Sequence, residues 1–135
     1  MGARSKARKR ALDVLYSADL RGESPTEALE RVIDAGDGPP NDYTLTLVRG
    51  VAAEVVRIDG LLDQYSTGWS LDRMPAVDRN VLRLGVWEML YADDVPGTVA
   101  VTEAMALVQD LSTDESPTFV NGVLGAIQRA HPADD

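Results

Sequence analysis

The chain has 135 residues, with 13 Lys or Arg against 22 Asp or Glu and a formal net charge of −9. Its 44% apolar and 26% charged residues are typical of a globular protein, and its length allows one domain. No apolar run approaches the roughly 20 residues of a membrane span, and the lack of cysteine excludes disulfides and thiol catalysis, so we expect a location in the reducing cytoplasm.

The N-terminal segment has the apolar periodicity of a helix. Apolar residues recur at three- and four-residue spacing from Ala7 to Ala18, which predicts a helix of about five turns that Gly22 ends. A short second helix begins soon afterwards, because Ser24 and Glu27 have the spacing of a capping box.

A long third helix is expected after a Gly- and Pro-rich break. Asn41 or Asp42 can cap its N-terminus, and a three-four apolar repeat continues to about Tyr65. Glycine inside a helix costs about 1 kcal/mol relative to alanine. We therefore expect another backbone to come close to Gly50 and Gly60.

The second half of the chain predicts three more helices after one short helical turn at residues 70–74. The segment 77–90 is the most apolar, and we expect it to be the central, buried helix. Its few charged residues, which we expect to point outward, are Asp78, Arg79, Arg83 and Glu88. The apolar residues of 101–111 line another helix, and Ser116 can cap a final helix that Pro117 opens.

No segment shows the sustained alternation of a strand. We therefore predict an all-α fold of six to seven helices, without a sheet, in a single domain over residues 1–135. The break at 36–40 and the turn near residue 70 separate subdomains at most. The polar tail 131–135 is expected to be disordered.

Basic residues are concentrated at the N-terminus. The first ten residues carry +5, whereas the rest of the chain has 8 basic and 22 acidic residues and carries −14. The five are Arg4, Lys6, Arg8, Lys9 and Arg10. Arg4 and Arg8 are four apart, on one helix face, and the lysines widen a basic surface suited to phosphate. A basic end on an acidic body indicates a nucleic acid or another acidic partner; the alternative is a frayed, solvated terminus.

Other candidates for nucleic-acid contact each have a structural alternative. Tyr16 could stack an unpaired base or lie half-buried with its hydroxyl in water. Arg79 and Arg83 could extend a phosphate track or pair with acidic side chains. Phe119 is more typical of a core than of a stacking platform, and Asn121 could bind a loop backbone as readily as a base. A single histidine and no Gly-rich phosphate loop give catalysis no support, so we expect no enzyme, no metal site and no cofactor.

Five motifs follow one another along the chain. They are ARSKARKRALDVLYSADL, LVRGVAAEVVRIDGLL, MPAVDRNVLRLGVWEML, VPGTVAVTEAMALVQDL and SPTFVNGVLGAI. In this order they resemble the arginine-rich first helix, the third helix, the central helix and the closing helices of the NusB family of bacterial transcription antitermination factors. Any one motif alone is weak, but the ordered set extends over nearly the whole chain.

The resemblance implies two packed helical subdomains, here about residues 1–68 and 69–130. It also implies binding to the boxA RNA of nascent transcripts, above all ribosomal RNA leaders, as a heterodimer with NusE, a ribosomal small-subunit protein. That complex lets RNA polymerase read through terminators, and it performs no chemistry.

The resemblance also assigns residues. Those on RNA-binding positions are Arg4, Lys6, Arg8, Lys9, Arg10, Tyr16, Arg79, Arg83, Phe119 and Asn121. Tyr16 and Asp78 fall at the NusE contact, where an acid suits a basic partner. The chain departs from the family pattern at Ser5, inside the arginine cluster, at Trp87, where a tyrosine is usual, and at Gly125, where an acid is frequent. We expect weak binding to RNA alone and tighter binding once NusE adds phosphate contacts.

Two other classes of protein remain as alternatives. A NusB-like domain also forms the N-terminal part of some ribosomal RNA cytosine methyltransferases, but those need a catalytic domain with a cysteine, and this chain has no cysteine. The second alternative is a helical interaction module or homodimer without specific RNA binding. Some NusB proteins resemble it in self-association, so the two are compatible.

Overall fold

The structure, a computed structural model, describes residues 2–36 and 41–131. Within these ranges the chain forms six α-helices and one 3₁₀ turn and no strand, which confirms the all-α prediction. They are α1 (Ala3–Arg21), α2 (Pro25–Asp34), α3 (Asp42–Tyr65), the 3₁₀ turn (Leu71–Arg73), α4 (Ala76–Tyr91), α5 (Gly97–Leu111) and α6 (Ser116–Ala130). Residues 37–40 of the expected break and 132–135 of the expected disordered tail lie outside the described ranges.

The ends of the first three helices follow the local sequence. Gly22 ends α1 in the left-handed conformation, at φ 68°, and its N–H closes the last turn. Ser24 and Glu27 form the predicted capping box of α2. Asn41 caps α3 by accepting a hydrogen bond from the backbone of Tyr43 at 2.7 Å.

One hydrophobic core extends through all six helices. Helix α4 is central, as predicted, and packs against α1, α3, α5 and α6. The largest fully buried apolar side chains are Leu12, Leu15, Leu47, Ile58, Leu62, Leu82, Leu124 and Ile127. Each stabilises the fold by about 1.5–3 kcal/mol relative to an exposed position. Because this core joins both halves of the chain, the subdomain boundary near residue 68 stays a prediction.

Gly50 of α3 lies against the side chain of Trp87 on α4. A Cβ at position 50 would overlap Cε2 of the indole, so the ring occupies the space that a side chain would need. The expected close backbone is therefore wrong at this position, because an aromatic ring of the neighbouring helix takes its place. At Gly60 an added Cβ would meet nothing within 4 Å, so the expectation of a close backbone is wrong there as well.

None of the helices in residues 2–36 and 41–131 is sufficiently long and apolar to cross a membrane.

Candidate nucleic-acid interface

Helix α1 divides its basic residues between two faces. At roughly 100° per residue, positions 4 and 8 lie close together around the axis, and positions 6, 9, 16 and 20 lie away from them. Burial separates Arg8 from the outward face, whereas Arg4, at the start of the helix, is exposed. Arg8 is only 4% exposed, whereas the exposed residues include Lys6, Lys9, Tyr16 and Leu20. The expected single basic surface is therefore two surfaces, one toward α3, α4 and α5 and one toward solvent.

Arg8 lies inside the protein. Its Nε donates to both carboxylate oxygens of Glu88, at 2.8 and 2.9 Å, and its Nη1 donates to Glu103 at 2.7 Å. Glu88 is 2% exposed and also accepts a hydrogen bond from the Tyr43 hydroxyl at 2.5 Å. These contacts correct two expectations, that Arg8 belongs to the exposed basic surface and that Glu88 points outward. Two buried charges can stay ionised here because each is paired and hydrogen-bonded.

Tyr43 of α3 connects this buried pair to the exposed part of α1. Burial, together with the hydrogen bond to Glu88 and its negative charge, raises the pKa of Tyr43 above its ordinary value, so the hydroxyl stays protonated. The Cζ atoms of Arg4 and Arg8 lie 4.2 and 5.6 Å from the centroid of the phenol ring. Both guanidinium groups are within the range of a cation–π contact.

Arg4 lies at the solvent edge of the same cluster. Its Nη2 donates to Asp94, in the turn before α5, at 2.6 Å, and this hydrogen bond lowers the pKa of Asp94. The Ser5 hydroxyl donates to Glu103 of α5 at 2.5 Å. The residue that interrupts the arginine cluster therefore helps to attach α1 to α5, and two carboxylates face the first turns of the basic helix.

Lys6 and Lys9 occupy the outward face of α1. Neither ammonium group forms an ion pair with another residue of the described ranges. Lys9 also borders a cavity of about 120 Å³ between α1 and α5, with Leu107 and Asp110 in its wall. Arg10 is half-buried. We call residues 4–10, with their five cations, the basic arm. Lys6 and Lys9 are its exposed cations without an ion-pair partner in the described ranges and so are the most accessible to a phosphate.

Arg79 and Arg83 of α4 are paired inside the bundle. Arg79 donates from Nε to Asp19 of α1 at 2.7 Å, and Arg83 donates to both oxygens of Asp59 on α3 at 2.8 and 2.9 Å. Burial alone would raise the pKa of Asp19, but hydrogen bonds from Arg79 and Asn80 and the arginine charges outweigh it and lower that pKa. The sequence left two alternatives for these arginines, a phosphate track or pairs with acidic side chains. The structure shows the pairs with acidic side chains.

Asp78 is fully buried in the first turn of α4, at 0% exposure. Its Oδ1 accepts a hydrogen bond from Ser112 at the end of α5, and its Oδ2 has no partner among the described residues. Ser116 donates to Ser112 at 3.1 Å and does not cap α6, whose N-cap is Glu115. These contacts correct the expectation of Asp78 as a surface acid, because its carboxylate instead holds the connection between α5 and α6.

Phe119 and Asn121 lie on α6, away from the basic arm. Phe119 is half-buried and packs edge-on against Trp69, with ring centroids 4.9 Å apart. Asn121 is exposed. No hydrogen bond or ring contact within the described part of the chain joins either residue to α1. The structure therefore brings Arg4 and Arg8 together around one tyrosine and places these two candidates in a different region.

Four residues of this site were missed by reasoning from the sequence. They are Tyr43, Glu88, Asp94 and Glu103. A signal in the sequence was available for one of them, Glu88. Arg8 is a charged residue next to the apolar stripe of α1, and Glu88 is an acid in the most apolar helix, a combination that indicates a buried ion pair. Asp94 and Glu103 carry no such signal, since acids in turns and on half-exposed helices are common.

Comparison with known proteins assigns the chain to a family. The NusB family model matches residues 5–129. The chain belongs to the NusB family. It is similar to the transcription antitermination protein NusB of Nocardioides sp. (strain ATCC BAA-499 / JS614), with 71% identity over 133 residues, which cover 98% of both chains. As a NusB protein, it is a transcription antitermination factor.

Solved NusB structures share the fold. T. maritima NusB has a TM-score of 0.85 at 32% identity, over 98% of this chain and 94% of its own. The structure of antitermination factors NusB and NusE in complex with dsRNA has a NusB-like chain with a TM-score of 0.81 at 33% identity, over 95% of this chain and 97% of that one. These likenesses confirm the NusB-like fold of the six helices.

Proposed function

We propose that this NusB protein binds the boxA RNA of nascent ribosomal RNA transcripts together with NusE, and that the complex promotes read-through by RNA polymerase. The observation that carries the proposal is the exposed pair Lys6 and Lys9, without ion-pair partners in the described ranges, on a chain whose body is acidic. A relative similar over 95% of this chain was solved with NusE and dsRNA, which supports the choice of partners.

The proposed phosphate contacts lie in the first three turns of α1. They are Arg4, Lys6, Lys9 and Arg10. Each phosphate that a cation neutralises releases counterions from the RNA, which makes binding strongly dependent on salt. Arg8 takes a different role, because Glu88 and Glu103 occupy its guanidinium group. It positions the start of α1 and does not contact the RNA.

The outward face of α1 continues into the proposed NusE contact. Tyr16 is 36% and Leu20 62% exposed, on the same face as Lys6 and Lys9 and about two to four turns further along. An exposed tyrosine beside an apolar residue suits a protein partner, and the acidic body attracts a basic ribosomal protein. RNA and NusE would therefore share one continuous face of α1.

The remaining candidates act at a distance or stay predictions. Arg79, Arg83 and Asp78 contribute through the packing of α4, because each is engaged within the bundle. Phe119 and Asn121 would mark a second RNA-contact region on α6. No step of this function is catalytic, and we expect the protein in the cytoplasm because its RNA target is a nascent bacterial transcript.

A gel-shift experiment tests the proposal with boxA RNA and a scrambled RNA of equal length, each with and without NusE. We expect the tightest binding for boxA with NusE, and a steep loss of affinity as salt increases. Equal binding to both RNAs under all conditions would contradict specific recognition. No RNA binding together with a stable homodimer in solution would instead favour the helical interaction module.

A further inference from the structure

The ion pair between Arg4 and Asp94 differs from the other arginine pair of α1 in its accessibility. Arg4 and Asp94 keep 46% and 65% of their side-chain surface exposed, although their closest atoms are 2.6 Å apart. In the Arg8–Glu88 pair the corresponding exposures are 5% and 2%. Solvent and ions therefore reach the first pair and not the second.

Asp94 occupies a hydrogen-bond donor of Arg4 that an incoming phosphate would also use. Its carboxylate accepts a hydrogen bond from Nη2 of Arg4, whose Cζ lies 4.2 Å from the centroid of the Tyr43 ring. The Tyr43 ring lies over one face of the guanidinium, and a phosphate reaches the N–H donors at the exposed part of the side chain, which is 46% of its surface. Phosphate and carboxylate oxygens are both acceptors that bind the same fork of N–H donors. Asp94 holds the Nη2 end of that fork, so a phosphate that binds through Nη2 must displace the carboxylate or lie against its negative charge.

We propose that Asp94 is an intramolecular competitor of RNA phosphate for Arg4 and thereby sets the affinity of the basic arm. This inference rests on the proposed RNA binding by α1. An exposed ion pair is weak, so a polyanion that offers several phosphates displaces the carboxylate, whereas a single small anion gains little. Asp94 thus makes the arm selective for an extended phosphate backbone.

The neighbouring residue provides a matched control. Asp93 is exposed in the same turn, and its side chain makes no hydrogen bond or ion pair with any residue of the described ranges. Replacement of either aspartate with asparagine removes one negative charge from adjacent exposed positions of the same turn. Only Asp94→Asn also releases Arg4, so the difference between the two variants isolates the competition from general charge repulsion.

The test measures boxA RNA affinity of the full chain with NusE present, for the wild type, D94N and D93N. We expect D94N to bind about two- to fivefold more tightly than D93N, the range that an exposed ion pair supports. The same pair of substitutions is then made in an Arg4→Ala background, where D94N should bind no better than D93N. Thermal unfolding confirms that each variant is folded.

Two results would overturn the competition. One is equal affinity of D94N and D93N in the wild-type background, and the other is an advantage of D94N that persists without Arg4. Failure of the proposed function gives a different pattern. In that case neither the wild type nor D94N nor D93N shows salt-dependent RNA binding, and the competition is overturned together with the function on which it rests.

Discussion

The Nε of Arg8 donates to both carboxylate oxygens of Glu88, at 2.8 and 2.9 Å, and both side chains are buried. The pair joins α1 to α4 across 80 residues of sequence. Its stability depends on both charges being present, because a buried ion without its partner keeps the desolvation cost and loses the attraction. The pair therefore anchors the basic arm to the central helix, and replacement of only one of its two residues leaves the other charge buried without a partner.

Replacement of Arg8 with alanine should lower the free energy of unfolding by about 3–5 kcal/mol, because Glu88 then stays buried without a cation. The double variant with methionine at both positions should lose less than R8A alone. Urea unfolding followed by circular dichroism measures these free energies. Arg4→Ala, which removes an exposed arginine of the same helix, is the control. An R8A protein as stable as R4A would contradict the buried pair.

Gly50→Ala should destabilise the protein by about 1–3 kcal/mol, because the new Cβ would overlap the indole of Trp87 and force the ring or the helices apart. Gly60→Ala is a matched control on the same helix with open space around it. There the higher helix propensity of alanine should stabilise the protein by up to about 1 kcal/mol. Thermal unfolding measures the stability, and tryptophan fluorescence reports the movement of the ring. Equal shifts in the two variants would exclude the close contact.

Asp19 should make the stability depend on pH in the acid range. Its pKa in the folded protein is lower than its ordinary value, so its contribution is fully present above the unfolded pKa of about 3.9 and is lost as pH falls through the folded pKa. The difference in unfolding free energy between wild type and Asp19→Asn should therefore be largest near neutral pH and shrink below about pH 4. Urea titrations across this range measure it, with the exposed Asp34→Asn as control for the loss of one charge. A difference in unfolding free energy that grows as pH falls would mean that folding raises the pKa of Asp19, which would contradict this prediction.

The limits of the helices could be predicted because their signals are local. Gly22 ends α1 through its own φ, and Ser24 begins α2 through a residue three positions away. Asn41 likewise caps α3 through the N–H two residues on. Such interactions are present in the sequence itself, so spacing and residue type are sufficient to find them.

The direction of the arginines could not be predicted in the same way. The helical period shows that Arg4 and Arg8 share a face, but whether that face meets solvent or Glu88 depends on a residue far along the chain. Arg79 poses the same problem, since its partner Asp19 lies 60 residues earlier on another helix. Tertiary packing decides these contacts. It therefore also decides which basic side chains of α1 are paired within the protein and which remain accessible to a phosphate.

Lys6 and Lys9 should account for much of the salt dependence of RNA binding. Their double replacement with alanine should lower the affinity for boxA and scrambled RNA alike and reduce the salt slope by about one for each phosphate that is no longer neutralised. Gel shifts over a series of salt concentrations measure the slope. Arg129→Ala, an exposed cation in the last turn of α6, is the control for total charge. An unchanged slope in the lysine variant would remove the outward face of α1 from the RNA contact.

Asp78→Lys should prevent folding and not remove NusE binding selectively, because it would place an ammonium group in a fully buried site against Ser112. Asp78→Asn keeps the shape and should cost about 1–3 kcal/mol, the range for one perturbed buried hydrogen bond. Under conditions in which D78N is fully folded, it should still bind NusE in a pull-down. Asp72→Lys, the same charge change at an exposed site two residues before Met74, should fold normally. A D78K protein with unchanged thermal stability and no NusE binding would place this carboxylate on the partner surface and would contradict its role in holding Ser112.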